Sequence, residues 1–255
     1  MARIDLNCDM GESFGVYRIG ADEEALLRLV SSANVACGFH AGDPRIIDRT
    51  VGLAARNGVA VGAHPSHHDL RGFGRREMKT TPDEVEADVV YQVGAVLAFA
   101  RAHGVPLVHV KPHGALYNQA VNDEPLARAI ARGVRRVSRE LIFVGLATSR
   151  AMRAAAEGEE LRYAGEAFAD RVYNPDGTLQ SRRIEGSVIT DPAKAAKQAL
   201  EIARSKQVTA GDGAVVRLDA ETLCLHGDNP SALENARAVR RALEAEGIEV
   251  RGLLA

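Results

Sequence analysis

The chain has 255 residues, of which 46% are hydrophobic and 26% charged, and its formal net charge is −2. That length fits one large α/β domain, and the near-neutral balance gives no electrostatic case for nucleic acid or an anionic membrane surface. Three cysteines (Cys8, Cys37, Cys224) suggest neither a disulfide framework nor a CxxC zinc site; MARIDLNCDMGES has no apolar signal-peptide core, and no apolar run approaches the ~20 residues of a membrane span, so the expected location is the cytoplasm.

In chain order, short β-rich runs alternate with helical ones. A strand at 3–9 precedes a helix at 22–32. A strand at 33–39 leads to a helix at 44–57, opened by Asp43-Pro44. The strand 59–64 leads to the helix 82–103, opened by Thr81-Pro82 with Glu84 completing a capping box. Strand 107–113 precedes helix 123–139, and strand 141–147 precedes helix 149–157. Strand 161–167 leads, through a long segment 168–190, to the helix 192–206 behind Asp191-Pro192. The last pair is strand 222–227 and helix 230–246 behind Asn229-Pro230. Gly58, Gly104 and Gly247 stand at helix ends. The segment 168–190 exceeds an ordinary βα connection and should hold irregular or hairpin structure around Pro175-Asp176-Gly177. No linker divides the chain, so 1–255 reads as one domain.

Regular β–α alternation implies parallel strands with helical crossovers. Central strands of an open parallel sheet are apolar on both faces, whereas these alternate. In IDLNCD, Ile4, Leu6 and Cys8 oppose Asp5, Asn7 and Asp9; in LCLHGD, Leu223 and Leu225 oppose Cys224, His226 and Asp228. One apolar face would pack on helices, and one polar face would line an interior. The expected fold is therefore an α/β (β/α) barrel of about seven parallel strands, TIM-barrel-like, with its site at the C-terminal ends of the strands; an open doubly wound sheet is the alternative.

Those strand ends are rich in chemistry. Six of the eight histidines (His40, His64, His67, His68, His113, His226) fall in them. In VHVKPHGALY, His109, Lys111 and His113 recur at every second position and so share one face. Lys111 needs a buried carboxylate partner, for which Asp9, Glu166 and Asp170 are candidates. His109 lies deeper and would satisfy a buried polar layer. Asp9, His64 and His113 end strands 1, 3 and 4 facing inward, a candidate Asp-His-His set for a divalent metal. Asp43, Asp191 and Asn229 read as helix caps, His67 and His68 as solvated loop residues, and His103 as structural. LRGFGRR (70–76) is a candidate anion cradle, and Arg171, Arg182 and Arg183 could grip a carboxylate or phosphate. No P-loop, GxGxxG or GxSxG motif is present. A nucleotide would then bind in an unfamiliar way or on another chain.

The segments DLNCDMGESFG, SANVACGFHAGDP, GAHPSHHDLRGFGRR, VKPHGALYN, GEAFADRVYNPDGTLQSR and LCLHGDNPSA together resemble the LamB/YcsF family, over essentially the whole chain. One departure stands at His67-His68, where the family pattern carries an aromatic and a proline. The resemblance implies a seven-stranded barrel of the glycoside hydrolase/deacetylase superfamily. It implies the A subunit of an ATP-dependent 5-oxoprolinase, opening 5-oxoproline to glutamate with carboxyltransferase-like partner subunits B and C and with ATP used by the complex. Positions matching the family's motifs are Asp9, Glu12, His40, His64, Lys111, His113, Glu166, Asp170, Arg171, Arg182, His226 and Asp228. Asp9, His40, His64, Lys111, His113 and Glu166 are the expected catalytic set. Asn7, Glu12, Asp170, Arg171, Arg182, His226 and Asp228 are the expected substrate-binding set. The alternatives are a metal-dependent deacetylase or amidohydrolase acting on a carbohydrate or small amide, and a non-catalytic binding subunit.

Overall fold

The computed structural model describes residues 2–20, 22–227 and 231–254. Seven parallel strands pair in the order β1 (Arg3–Met10), β2 (Ser32–Ala36), β3 (Ala60–His64), β4 (Leu107–Val110), β5 (Ile142–Leu146), β6 (Tyr163–Phe168) and β9 (Thr222–Leu225). The last strand returns to the first, with Asp5 opposite Thr222 and Cys8 opposite Leu225, and the barrel closes. The short strand β10 (Glu249–Val250) pairs only with Arg3 and Ile4, at the start of β1. All seven expected barrel strands form. The helices α1 (Glu23–Leu27), α2 (Pro44–Arg56), α3 (Pro82–Ala102), α5 (Glu124–Val137), α6 (Arg150–Gly158), α7 (Pro192–Ser205) and α8 (Ala232–Ala245) surround it.

The caps work as their chemistry requires. Asp43 accepts from the backbone N–H groups of Arg45 and Ile46, and Thr81 and Glu84 bond reciprocally. Asp191 accepts from Ala193 and Lys194. Asn229 and the start of the expected helix 230–246 lie outside the described residues; α8 begins after Ser231.

Several bounds differ from expectation for physical reasons. The helix expected at 22–32 ends at Leu27, because Ser31 turns back into the barrel: its hydroxyl donates to Asp5 (2.7 Å) and accepts from Leu6 N–H (2.9 Å). The strand expected at 33–39 ends at Ala36, where a tight turn closes with Gly38 N–H on the Ala41 carbonyl (2.8 Å). The strand expected at 107–113 ends at Val110, since Pro112 has no N–H to donate. The chain nonetheless keeps tracking β3, with Lys111 N–H on the Ala63 carbonyl (3.0 Å) and His113 N–H on the Pro65 carbonyl (2.8 Å). Inward alternation of residues 109, 111 and 113 therefore survives the end of the ladder. Three elements were not anticipated: helix α4 (Gly114–Ala120), the antiparallel hairpin β7–β8 (Gln207–Thr209, Val215–Arg217), and β10.

Outward side chains such as Leu6, Val35, Val61, Val110, Phe143 and Leu223 pack under the helices as one buried core. Each such side chain contributes roughly 1.5–3 kcal/mol by leaving water. A smaller cluster of Ile142, Val144 and Ala164 with Leu253 plugs the end of the barrel opposite the mouth. No described helix is long and apolar enough to cross a membrane.

Candidate active site

The barrel interior is a stack of hydrogen-bonded polar layers. At the bottom, Asp5 accepts from the hydroxyls of Ser31 and Ser32 (both 2.7 Å) and of Thr222 (2.5 Å). One step up, Asn7 donates to Thr222 Oγ1 (2.6 Å) and to Glu166 Oε1 (3.1 Å). Asn34 donates to Asn7 Oδ1 (2.7 Å) and Asp9 Oδ1 (2.8 Å). Its own oxygen lies 2.7 Å from His109 Nε2, which donates to it. His109 thus belongs to the supporting layer.

Lys111 sits above this layer, 2% exposed. Its Nζ lies 2.9 Å from Asp9 Oδ1, 2.8 Å from Glu166 Oε1, 3.3 Å from Asn7 Oδ1 and 3.0 Å from Cys224 Sγ. Burial opposes the ammonium, but Asp9 and Glu166 hold its pKa well above the ordinary lysine value. Cys224 is no counter-charge, because burial keeps it a thiol. Asp9 is likewise penalised by burial, yet His64 and Lys111 hold it well below the usual carboxylate range. Asp170, the third candidate partner, is elsewhere: it accepts from the His226 backbone N–H (3.0 Å) and faces His226 Nδ1 (3.0 Å).

At the mouth three imidazoles converge. His64 Nδ1 donates to the Lys111 carbonyl (2.7 Å), and His113 Nε2 donates to the Phe73 carbonyl (2.9 Å). Carbonyls only accept, so each ring's hydrogen is fixed on that side. The remaining nitrogens, His64 Nε2 and His113 Nδ1, face each other at 3.0 Å. Asp9 Oδ2 lies 3.3 Å from the former and Glu12 Oε1 3.4 Å from the latter. His40 stacks on His113 with centroids 3.8 Å apart and points Nε2 at Glu12 Oε1 (3.2 Å). Burial first, then the neighbouring imidazoles, push His40 and His113 well below the ordinary histidine value. Two lone pairs aimed at each other between two carboxylates require a proton or a cation between them. Glu12, His40, His64 and His113 can offer ligand atoms within 4.8 Å of one another. Of the expected Asp9–His64–His113 set, His64 and His113 fall in this group together with Glu12 and His40, whereas Asp9 stands beside it, 3.3 Å from His64 Nε2, and groups with Cys224 and His226.

Glycines make room for this crowding. A Cβ on Gly62 would run into the ring of His109, and one on Gly114 (φ +57°) would stand 2.5 Å from the Gly74 carbonyl. The second contact presses the loop after β3 against the start of α4, where Ala115 N–H donates to the same carbonyl (2.8 Å). That fixes the Phe73 carbonyl over His113.

A cavity of about 950 Å³ opens above Asp9, His64, Lys111 and His113, walled by Arg75 and Arg76 and by Arg171, Arg182 and Arg183 from the long loop after β6. A smaller pocket of about 310 Å³ beside Arg18 and Arg49 lies away from this chemistry. Of the expected site residues, Asn7, Asp9, Glu12, His40, His64, Lys111, His113 and Glu166 form one connected cluster. His226 stands beside Asp9, within 4.8 Å of it, and is held by Asp170; Arg171 and Arg182 line the cavity wall, and Asp228 lies outside the described residues. Two expectations change. His67 is not solvated but buried, its Nε2 2.8 Å from Gln119 Oε1. The cradle LRGFGRR has Arg76 committed to Asp69. Sequence reasoning missed Asn34, Thr222, Cys224 and Tyr117. Inward alternation marks the first three; only α4, unseen in the sequence, brings Tyr117 to the cavity.

The closed (β/α) barrel places the chain in a fold class shared with a polysaccharide deacetylase from Bacillus cereus, at TM-score 0.50 and 11% identity over 99% of this chain and 92% of that one, a likeness of fold alone. The chain belongs to the LamB/YcsF family, whose profile matches residues 4–255. It is 51% identical over 253 residues to a protein of Natranaerobius thermophilus named as the A subunit of 5-oxoprolinase, covering 99% of this chain and 98% of that one. The crystal structure of a lactam utilization protein from Thermus thermophilus matches at TM-score 0.92 and 50% identity, over 98% of this chain and 99% of that one.

Proposed function

We propose that this chain is the ring-opening component of an ATP-dependent 5-oxoprolinase, working in the cytoplasm with partner subunits B and C of carboxyltransferase type. The observation that carries this reading is the convergence of Asp9, His64 and His113, with Glu12 against His113, at the floor of a cavity lined by arginines. A lactam is an unstrained amide, so its opening needs activation. Phosphorylation of the amide oxygen, on a partner chain, makes the ring carbon electrophilic. Asp9, held ionised, is the general base for water. His64 and His113 pass a proton to the departing ring nitrogen. Lys111 already has four polar neighbours for its three N–H bonds; it therefore holds Asp9 and Glu166 in place rather than reaching the substrate.

The lone pairs of His64 and His113, with Glu12 and His40, also fit a divalent metal of the zinc type. Such an ion would polarise a bound water or carbonyl. This donor set favours a second reading, a metal-dependent amidohydrolase needing no ATP. Glutamate release from 5-oxoproline by the three-subunit mixture, with and without ATP, separates the two. Asp9→Asn and His64→Ala should each lower the ATP-dependent rate by roughly a hundredfold or more; full turnover in both variants removes the proposed site. Metal analysis of protein purified without chelator should find about one ion per chain if the ligand set is used, and none in His64→Ala with His113→Ala.

A further inference from the structure

At about 950 Å³, the cavity lies at the upper end of the ~300–1,000 Å³ that holds drug-sized ligands. A five-carbon lactam acid fills only part of it. The floor supplies acid–base groups, and the wall opposite supplies guanidinium groups from two separate loops. Arg171 is 5% exposed; its Nη2 donates to the Gln180 carbonyl, while its Nε has no hydrogen-bond partner. Its neighbour Asp170 already has both oxygens on His226. Burial first, then the charge of Arg182, lower Arg171 to about 10, and Arg75 adds to the same field. Arg75, Arg171 and Arg182 line one cavity, and a buried guanidinium with an unused donor is relieved by an anion. A carboxylate satisfies one guanidinium fork. Three guanidinium groups acting on one region match a group with three oxygens and up to two charges.

We propose that Arg171, Arg182 and Arg75 form a phosphoryl subsite, so that this chain holds the phosphorylated lactam while the ring opens. The proposal rests on the ring-opening reading and deepens it. Water adding to the activated carbon gives a tetrahedral centre bearing a hydroxyl, the O-phosphoryl group and the ring nitrogen. Loss of phosphate at that point only restores the lactam. Productive opening breaks the C–N bond, its electron pair leaving with the protonated nitrogen, and yields an acyl phosphate. A second water then hydrolyses this to the carboxylate and inorganic phosphate. The phosphoryl group therefore has to stay seated opposite the proton donors until the C–N bond is gone.

The test titrates the chain alone with inorganic phosphate, followed by calorimetry or ³¹P line broadening. Saturable binding is expected, weakened at least tenfold in Arg182→Gln and in Arg171→Lys, with melting curves confirming that each variant is folded. Tripolyphosphate and ATP form further arms. Equal affinity for these two supports the activated lactam as the source of the phosphoryl group; at least tenfold preference for ATP overturns that source in favour of a nucleotide. No saturable phosphate binding, or unchanged binding in both folded variants, overturns the subsite. None of these titrations needs turnover, so failure of the subsite and failure of the ring-opening reading are seen separately.

Discussion

Lys111 is held by two carboxylates, Asp9 at 2.9 Å and Glu166 at 2.8 Å, all three buried at the base of the cavity. Removing it leaves two buried acids without a counter-charge. Lys111→Met should therefore cost roughly 3–5 kcal/mol of stability and abolish turnover. Adding Glu166→Gln should restore a large part of the stability, because one uncompensated charge is gone, yet leave turnover abolished. Urea denaturation and glutamate release measure the two effects; a Lys111→Met protein as stable as the parent contradicts the ionised triad. At this scale the sequence was informative about direction and silent about partners. Alternation in VHVKPHGALY put His109, Lys111 and His113 on one face. Nothing in it could choose between Asp9, Glu166 and Asp170 for Lys111, since that choice depends on which strands become neighbours across the barrel.

The β3–β4 pair shows how an element positions the site. The register between them shifts at Val61/Gly62, and the ring of His109 lies across Gly62, where no side chain fits. Gly62→Ala should overpack this contact and cost about 1–3 kcal/mol. His109→Ala should remove much of that penalty in the double variant, so a double-mutant cycle by urea denaturation should give a clear positive coupling; simple additivity would show that the ring does not depend on the glycine. Capped helices and barrel strands were legible because capping and alternation are local. Helix α4 was not: its cap residue His113 makes no side-chain cap bond, and Gly114 opens it at φ +57°. The β7–β8 hairpin is only three residues per strand, too short for alternation to register.

Across the whole molecule, the barrel buries neutral imidazoles as well as ionised carboxylates, and this sets its acid response. His109 is lowered to about 3, chiefly by burial and then by the charge of Lys111. Its unfolded value is about 6.5. Below that pH the unfolded chain takes up a proton that the folded barrel refuses, so the contribution is complete above pH ~6.5 and declines as pH falls towards 3. The slope is ~1.4 kcal/mol per pH unit for each such histidine. His40 and His113, also lowered well below the ordinary value, add to it. Asp9, lowered too, is protonated only at the acid end, below about 3.9. The melting temperature should accordingly be flat near neutrality and start to fall below about pH 6.5, before the unfolded carboxylates titrate. His109→Gln should lower stability at neutral pH, through the hydrogen-bonded layer around Asn34, but flatten the fall between pH 6 and pH 4 by about one histidine's share. Melting curves of both proteins across that range decide it. A parent protein equally stable at pH 7 and pH 5 would mean that His40, His109 and His113 are protonated inside the fold.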